Sequence, residues 1–338
     1  MKKLSIFIVV VLLFTIGLIN YLPGYLSEST NMELVEIVIS GGSTLSDVAE
    51  DLYNNGIIRS NLWFRYKGRD IAHNIKPGTY TIEPNSNIEE IYEIIQQGEQ
   101  EEQIKVTFPE GFTLYQFAEK IEEKGLGSAE EFINATNEYY YSKNYDFDTT
   151  DLYFNMEGYL FPDTYLFTRD QSMEDIVTIL VSTMENVFTE EYNNRSKELN
   201  LTRHQVLTIA SLIEREAYND EERAAISGVI YNRLKVDMPL QIDATVIYGK
   251  GEGKEHMTRV LYKDLEIDNP FNTYKNSGLL PGPIASPGKN SIYAALYRED
   301  HDYFYYVLGD NGHVFSRTFD EHKQNVSKYI NWNQGTDD

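Results

Sequence analysis

Two carboxylates stand close together in Ile213-Glu214-Arg215-Glu216-Ala217, near the end of a run that is otherwise largely apolar. A helix beginning at Thr202, turning about 100° per residue, puts Val206, Ile209, Ala210, Leu212, Ile213 and Ala217 in one arc. Glu216 falls inside that arc, Glu214 lies at its opposite edge, and Arg215 points away. A carboxylic acid on the apolar side of a helix is costly to ionise, so its pKa should rise. A raised value would let it work as a general acid near neutral pH. The competing reading is a carboxylate held in a structural ion pair by Arg215, Arg223 or Arg233, and helix geometry alone leaves both open.

The residues that follow add polar groups. Asn219 with Glu222 can cap a second helix running through Ala224, Ala225, Val229 and Ile230 to Leu234, which delivers Asn232 and Arg233 at its end. Met238 to Tyr248 reads as a strand or extended loop, with Gln241, Asp243 and Thr245 alternating onto one side. Amide, carboxylate and hydroxyl groups in a row would suit sugar hydroxyls, with Tyr248 available to stack. A hydrogen-bonded loop without a ligand accounts for the same pattern.

Other chemistries find no motif. The chain has no cysteine, which excludes thiolate catalysis, disulfides and Cys-ligated metal sites. Its six histidines never occur as H-E-x-x-H or H-x-H, so no metal ligand set is expected. Gly249 to Lys254 misses the phosphate-loop spacing, and no G-x-S-x-G occurs. The formal charge of −24 would repel nucleic acid, and it disfavours broad adhesion to an anionic lipid surface.

The elements that must position these groups are legible in outline. Leu4 to Leu22 is uncharged and long enough to cross a bilayer, and Lys2 and Lys3 precede it. The positive-inside rule then leaves the N-terminus in the cytoplasm and the remainder outside. The flank Asn20 to Tyr25 has no small-x-small cleavage pattern, so residues 1–25 are expected to be a retained anchor. From residue 33, Val38 to Leu45 reads as a strand, a Gly turn and a helix capped by Thr44 with Asp47. Val106 to Phe117 repeats this with Thr113 and Gln116. Gly78 to Ile82 reads as a strand, and Asn87 to Gln97 as an amphipathic helix closed by Gly98.

Gln97 to Gln103 is a charged linker, which divides a small β-α domain (33–100) from a larger one (104–338). In the latter, Ser128, Ser172 and Thr202 begin capping boxes with Glu131, Asp175 and Gln205. Asp175 to Leu199 has the apolar spacing of one long helix. Tyr303 to Leu308 and His313 to Thr318 flank Gly309-Asp310-Asn311-Gly312 as a hairpin. The fold class expected is α+β: an N-terminal transmembrane helix, a small β-α domain, and an α+β domain with a helical middle and a C-terminal β-hairpin.

Two resemblances follow from these residues. The strand-Gly-Thr-Leu-helix pattern of the small domain resembles the LysM glycan-binding module, although the same pattern also serves as a plain packing unit. Several motifs occur in order along the chain: Glu157 to Tyr165 (EGYLFPDTY), Ala210 to Glu216 (ASLIERE), Asn232-Arg233-Leu234 with Met238 to Asp243, and Asn272-Thr273-Tyr274 with Gly278 to Gly288. Together they resemble the membrane-anchored endolytic murein transglycosylases of the YceG-like family. Ala244 and Leu280 stand where that family usually has proline, which bears on loop stiffness more than on chemistry.

The resemblance implies a lyase that cleaves the MurNAc–GlcNAc bond of nascent glycan strands, leaves 1,6-anhydroMurNAc ends and terminates strand elongation. Beside the polar groups Asn232, Gln241, Asp243, Thr245 and Tyr248 read above, and Tyr274, as candidate supporting or substrate-binding residues, it places the catalytic role on Glu216, with Glu214 a neighbour that tunes or positions it. It implies no cofactor or metal. The implied partners are peptidoglycan strands, peptidoglycan synthases and the elongation or division machinery. The alternatives are a muramidase pairing Glu216 with Glu214 or Asp243, and a non-enzymatic peptidoglycan-binding scaffold.

Overall fold

The computed structural model describes residues 15, 17, 20–28, 30, 32–98, 103–143, 145, 147–254 and 260–333. The expected membrane-crossing segment Leu4 to Leu22 lies largely outside them. Among the described residues no helix is long and apolar enough to cross a membrane. The chain divides into two compact units, Met1–Glu101 and Glu102–Asp338, and both mix helices with two-stranded sheets.

In the first unit, strand β1 (Val35–Ile39) pairs antiparallel with β2 (Gly78–Ile82), with Val35 opposite Ile82. Helices α1 (Leu45–Asn54), α2 (Asn61–Lys67) and α3 (Ile88–Gln97) belong to the same unit. Thr44 with Asp47 and Asn87 with Glu90 form full capping boxes, so orphan amides at the starts of α1 and α3 are satisfied locally. The alternating inward residues Ile37 and Ile39 of β1 meet Val48, Leu52, Phe64, Ile91 and Ile95 in one apolar cluster.

The second unit begins with β3 (Ile104–Thr107), which pairs antiparallel with β4 (Thr164–Phe167), a strand more than fifty residues on. Between them lie α4 (Leu114–Glu123) and α5 (Ala129–Ser142). The single long helix expected over 175–199 is two helices, α6 (Met173–Val187) and α7 (Glu190–Glu198). Phe188 leaves the helical region and the Thr189 hydroxyl accepts from the Tyr192 amide, restarting the chain as a new helix.

At the centre runs α8 (Arg203–Glu216), capped by Thr202 with Gln205. Every residue from Val206 to Ile213 is buried, as befits a helix surrounded by others. Its neighbours are α7, α9 (Arg223–Lys235), α10 (Asp243–Lys250) and α11 (Lys289–Leu296). The chain closes with the hairpin β5 (Tyr305–Gly309) and β6 (Gly312–Ser316), with Gly309 opposite Gly312, and then α12 (Phe319–Asn333) packs on it.

Candidate active site

Glu216 is the last residue of α8. That end of a helix carries negative partial charge from its unpaired carbonyls, which disfavours a carboxylate there. Burial raises the Glu216 pKa to about 7; the charge of Asp243 pushes the same way, whereas the Tyr306 hydroxyl, Arg215 and Arg233 pull against it. Tyr306 Oη donates to Glu216 Oε2 at 2.7 Å. The result is a carboxylic acid that keeps its proton close to neutral pH.

Tyr306 is aimed by α9, the helix after Glu216. Gly228 on α9 lets the segment before β5 come close; a Cβ there would lie 2.5 Å from His301 Nε2 and 2.6 Å from the Glu299 carbonyl oxygen. One turn on, Asn232 Nδ2 donates to the carbonyls of His301 (2.8 Å) and Tyr303 (3.0 Å). Arg233 Nε donates to the Phe304 carbonyl at 2.6 Å, and Arg233 Nη1 to those of Pro239 (3.1 Å) and Leu240 (2.7 Å). The Arg233 guanidinium therefore ties residues 239–240 to the start of the hairpin and places a positive charge near Glu216. On the other strand, His313 donates its amide to Glu222 Oε2 (2.9 Å) and pairs through Nδ1 with Oε1 (2.8 Å).

Gln241, two residues before α10, sits in a left-handed backbone position (φ 51°), and its amide donates to the Thr273 carbonyl at 3.1 Å. Asp243, the first residue of α10, is exposed, and its Oδ1 accepts from Tyr274 Oη at 2.6 Å. Burial, Asp243 and Glu216 all raise the Tyr274 pKa, while Arg233 lowers it. Glu216, Tyr306, Arg233, Asp243 and Tyr274 thus form one electrostatic group, contributed by α8, the hairpin, α9, α10 and the long loop before α11.

A family model described as YceG-like matches residues 37–328. The chain belongs to the YceG-like family. A Bacillus subtilis (strain 168) protein named endolytic murein transglycosylase is 38% identical over 319 residues, spanning 90% of this chain and 87% of the relative. A Streptococcus pneumoniae (serotype 2, strain D39) protein of the same name is 28% identical over 330 residues, spanning 90% of this chain and 60% of that longer relative. A 2.6 Å crystal structure of a YceG-like protein from Listeria monocytogenes superposes with a TM-score of 0.61 at 34% identity, covering 86% of this chain and 98% of that one.

Of the residues singled out in this YceG-like chain, Glu216, Asp243 and Tyr274 come together. Four others are placed differently. From Asp243 on, the stretch expected to be a strand or extended loop forms helix α10, so Asp243 and Thr245 do not share a face, and Gln241 precedes the helix. Gln241 is exposed, whereas Thr245 is buried with its hydroxyl bonded to the Ile242 carbonyl (2.6 Å) and paired with the Thr273 hydroxyl (2.9 Å). Tyr248 is 5% exposed and cannot stack on a ligand; its hydroxyl donates to Glu157 Oε2 at 3.1 Å. Asn232 uses its amide on the two carbonyls that seat the hairpin.

Glu214 is the ion-pair case. Its Oε1 accepts from Arg223 Nη1 (3.0 Å) and its Oε2 from the Gly288 amide (2.9 Å). Two carboxylates two residues apart thus leave the same helix end on different errands. Tyr306 was not distinguishable in the sequence, because Tyr303, Phe304 and Tyr305 beside it read the same way.

The two neighbours of Glu216 push its pKa in opposite directions, which makes a paired test. Tyr306→Phe removes a hydrogen bond that favours the carboxylate, so the Glu216 pKa rises and the alkaline limb of the pH–rate profile moves to higher pH. The rate at the optimum should fall by about tenfold, as expected for one charge-assisted hydrogen bond. Asp243→Asn removes a repelling charge, so the limb moves to lower pH. Limbs that shift in the same direction, measured on isolated glycan strands, would contradict this assignment.

Glu157, from the run EGYLFPDTY, is buried and accepts from the Leu114 amide (2.9 Å) at the start of α4 and from Tyr248. Burial outweighs both bonds and raises its pKa from 4.5 to about 8. Between those pH values the folded chain holds a proton that the unfolded chain has lost. Stability therefore falls as pH rises through that window and levels off above about 8. Glu157→Gln should flatten this slope, leaving the variant more stable than the parent by a few kcal/mol at alkaline pH, with a smaller gap in acid. Urea unfolding at several pH values reads this, and parallel curves for the two proteins would count against it.

Proposed function

We propose that this chain is an endolytic peptidoglycan lytic transglycosylase, a lyase that cuts the MurNAc–GlcNAc bond with Glu216 as acid and then base. The observation that carries the reading is Glu216 at the end of the central helix, hydrogen-bonded by Tyr306 and with its pKa raised to about 7. It is supported by the relatives named endolytic murein transglycosylase. In the first step the C1–O4 bond breaks and Glu216 gives its proton to the departing GlcNAc oxygen. The positive charge that develops on the MurNAc ring is favoured by the nearby Asp243 carboxylate. In the second step the MurNAc 6-hydroxyl attacks C1, and Glu216 takes the hydroxyl proton. The ring closes as a 1,6-anhydro sugar, and Glu216 is restored as the acid. One group suffices because its proton leaves in the first step.

A muramidase would need a second acid to handle water. Glu214 is committed to Arg223 and the Gly288 amide, which leaves Asp243 as the group a hydrolase would use. Digestion of isolated glycan strands with mass analysis decides between them. Anhydro ends, lighter by one water, are expected; reducing MurNAc ends would replace the proposal with the hydrolase.

The same proposal places the chain in the cell membrane through Leu4 to Leu22, with the N-terminus cytoplasmic and the catalytic unit outside. Cutting nascent strands there would terminate their elongation. It would also bring the chain beside peptidoglycan synthases and the elongation or division machinery.

A further inference from the structure

We propose that helix α2 seats the N-terminal unit on an anionic phospholipid surface, an inference that rests on the anchored topology just proposed. Leu62 and Tyr66, one helical turn apart on α2, are 70% and 60% exposed. Trp63 lies between them, and its ring stacks on Tyr66 at 5.6 Å. Within residues 59–69 the charges are Arg59, Arg65, Lys67 and Arg69, with no carboxylate, in a chain whose net charge is −24. Lys67, Arg69 and Arg59 do meet Glu89 (3.2 Å), Asp70 (3.5 Å) and Glu28 (3.6 Å), but each of those carboxylates is more than half exposed. Such pairs are weak and free to exchange for lipid phosphate.

The second observation is where the anchor leaves the bilayer. Residues 20–27 are helical and lie against α2 and the residue preceding it by two. Trp63 Nε1 donates to Ser27 Oγ at 3.1 Å, and the Arg59 guanidinium sits 4.1 Å from the centre of the Tyr25 ring. Tyr21 and Tyr25 are exposed and stack at 6.1 Å. From Leu22, the last residue of the apolar run, to Ser27 a helix climbs only about 8 Å at ~1.5 Å per residue. That is close to the depth of one headgroup layer, roughly 5–8 Å. The contacts at Tyr25 and Ser27 therefore keep α2 within reach of headgroup depth, where aromatic rings and snorkelling cations are favoured. Overall charge repels the rest of the chain from an anionic surface, so this patch sets which side faces it.

The test uses the full chain carrying Trp332→Phe, which leaves Trp63 as the only tryptophan. The protein is reconstituted in vesicles of brominated phosphatidylglycerol or brominated phosphatidylcholine, and Trp63 emission is read. Quenching should be at least about twofold stronger with phosphatidylglycerol. Arg65→Glu, Lys67→Glu and Arg69→Glu together should bring it down to the phosphatidylcholine value. All three side chains are exposed, and circular dichroism checks that the variant is folded. Equal quenching in both lipids, or none, in protein that floats with the vesicles overturns the docking while leaving the anchor standing. Protein that does not float overturns the anchored topology, and the docking with it.

Discussion

Glu216→Gln is expected to slow glycan-strand cleavage by about 10²–10⁴-fold, the usual contribution of a positioned acid–base group. Glutamine fills the same space and keeps an oxygen to accept from the Tyr306 hydroxyl, so the hairpin stays seated. It has no proton to give to the leaving oxygen. Its effect on stability has the opposite sign. The Glu216 pKa of about 7 in the folded chain lies above the ordinary 4.5. Ionising this group therefore costs stability as pH rises between those values, and the amide removes that cost. A variant that is inactive yet at least as stable as the parent at alkaline pH separates catalysis from folding. Product formation within a few-fold of the parent would remove Glu216 from the mechanism and favour the non-enzymatic scaffold.

Arg223→Met should be the most destabilising of the changes considered. The side chains of Arg223 and Glu214 are 11% and 6% exposed. The guanidinium also bonds Asp220 at 2.8 Å and the Ser291 hydroxyl. Without it, Glu214 stays buried with the Gly288 amide as its remaining partner, and breaking a buried pair from one side costs about 3–5 kcal/mol. For a unit of this size that is a drop in Tm on the order of 10 °C. Replacing both members, Arg223→Met with Glu214→Leu, should recover most of the loss, because no charge is then left stranded. Calorimetry of the single and double variants measures this. A single variant within about 1 kcal/mol of the parent would mean that Glu214 is not held by this pair.

What could be seen in the sequence was what depends on near neighbours. The capping boxes at Thr44, Thr113, Ser128, Ser172 and Thr202 each need two side chains three residues apart, and all five form. The apolar arc that holds Glu216 is equally local, since it depends only on helical period. Two misreadings have local causes as well. Helix α10 begins after Ile242, which has no capping side chain. Nothing therefore marked its start, and the alternation of Gln241, Asp243 and Thr245 imitated a strand. The break at Phe188 was hidden because Thr189 caps alone, without an acid or amide at Tyr192.

The partners of the two acids were a different problem. Arg223 and Gly288 for Glu214, and Tyr306 and Asp243 for Glu216, are chosen by tertiary packing, which ties one carboxylate into an ion pair and leaves the other buried with a raised pKa.

The bond between Glu216 and Tyr306 spans ninety residues of chain. A ribosome finishes helix α8 well before it makes the hairpin, so during synthesis the acid exists for a time without the hydroxyl that holds it. Folding of the C-terminal hairpin is thus the step that completes the proposed cutting centre. A chain broken off or clipped ahead of Tyr306 would carry the glutamate but not its tuned environment. By the proposed mechanism such a chain would cut glycan strands more slowly than the finished enzyme.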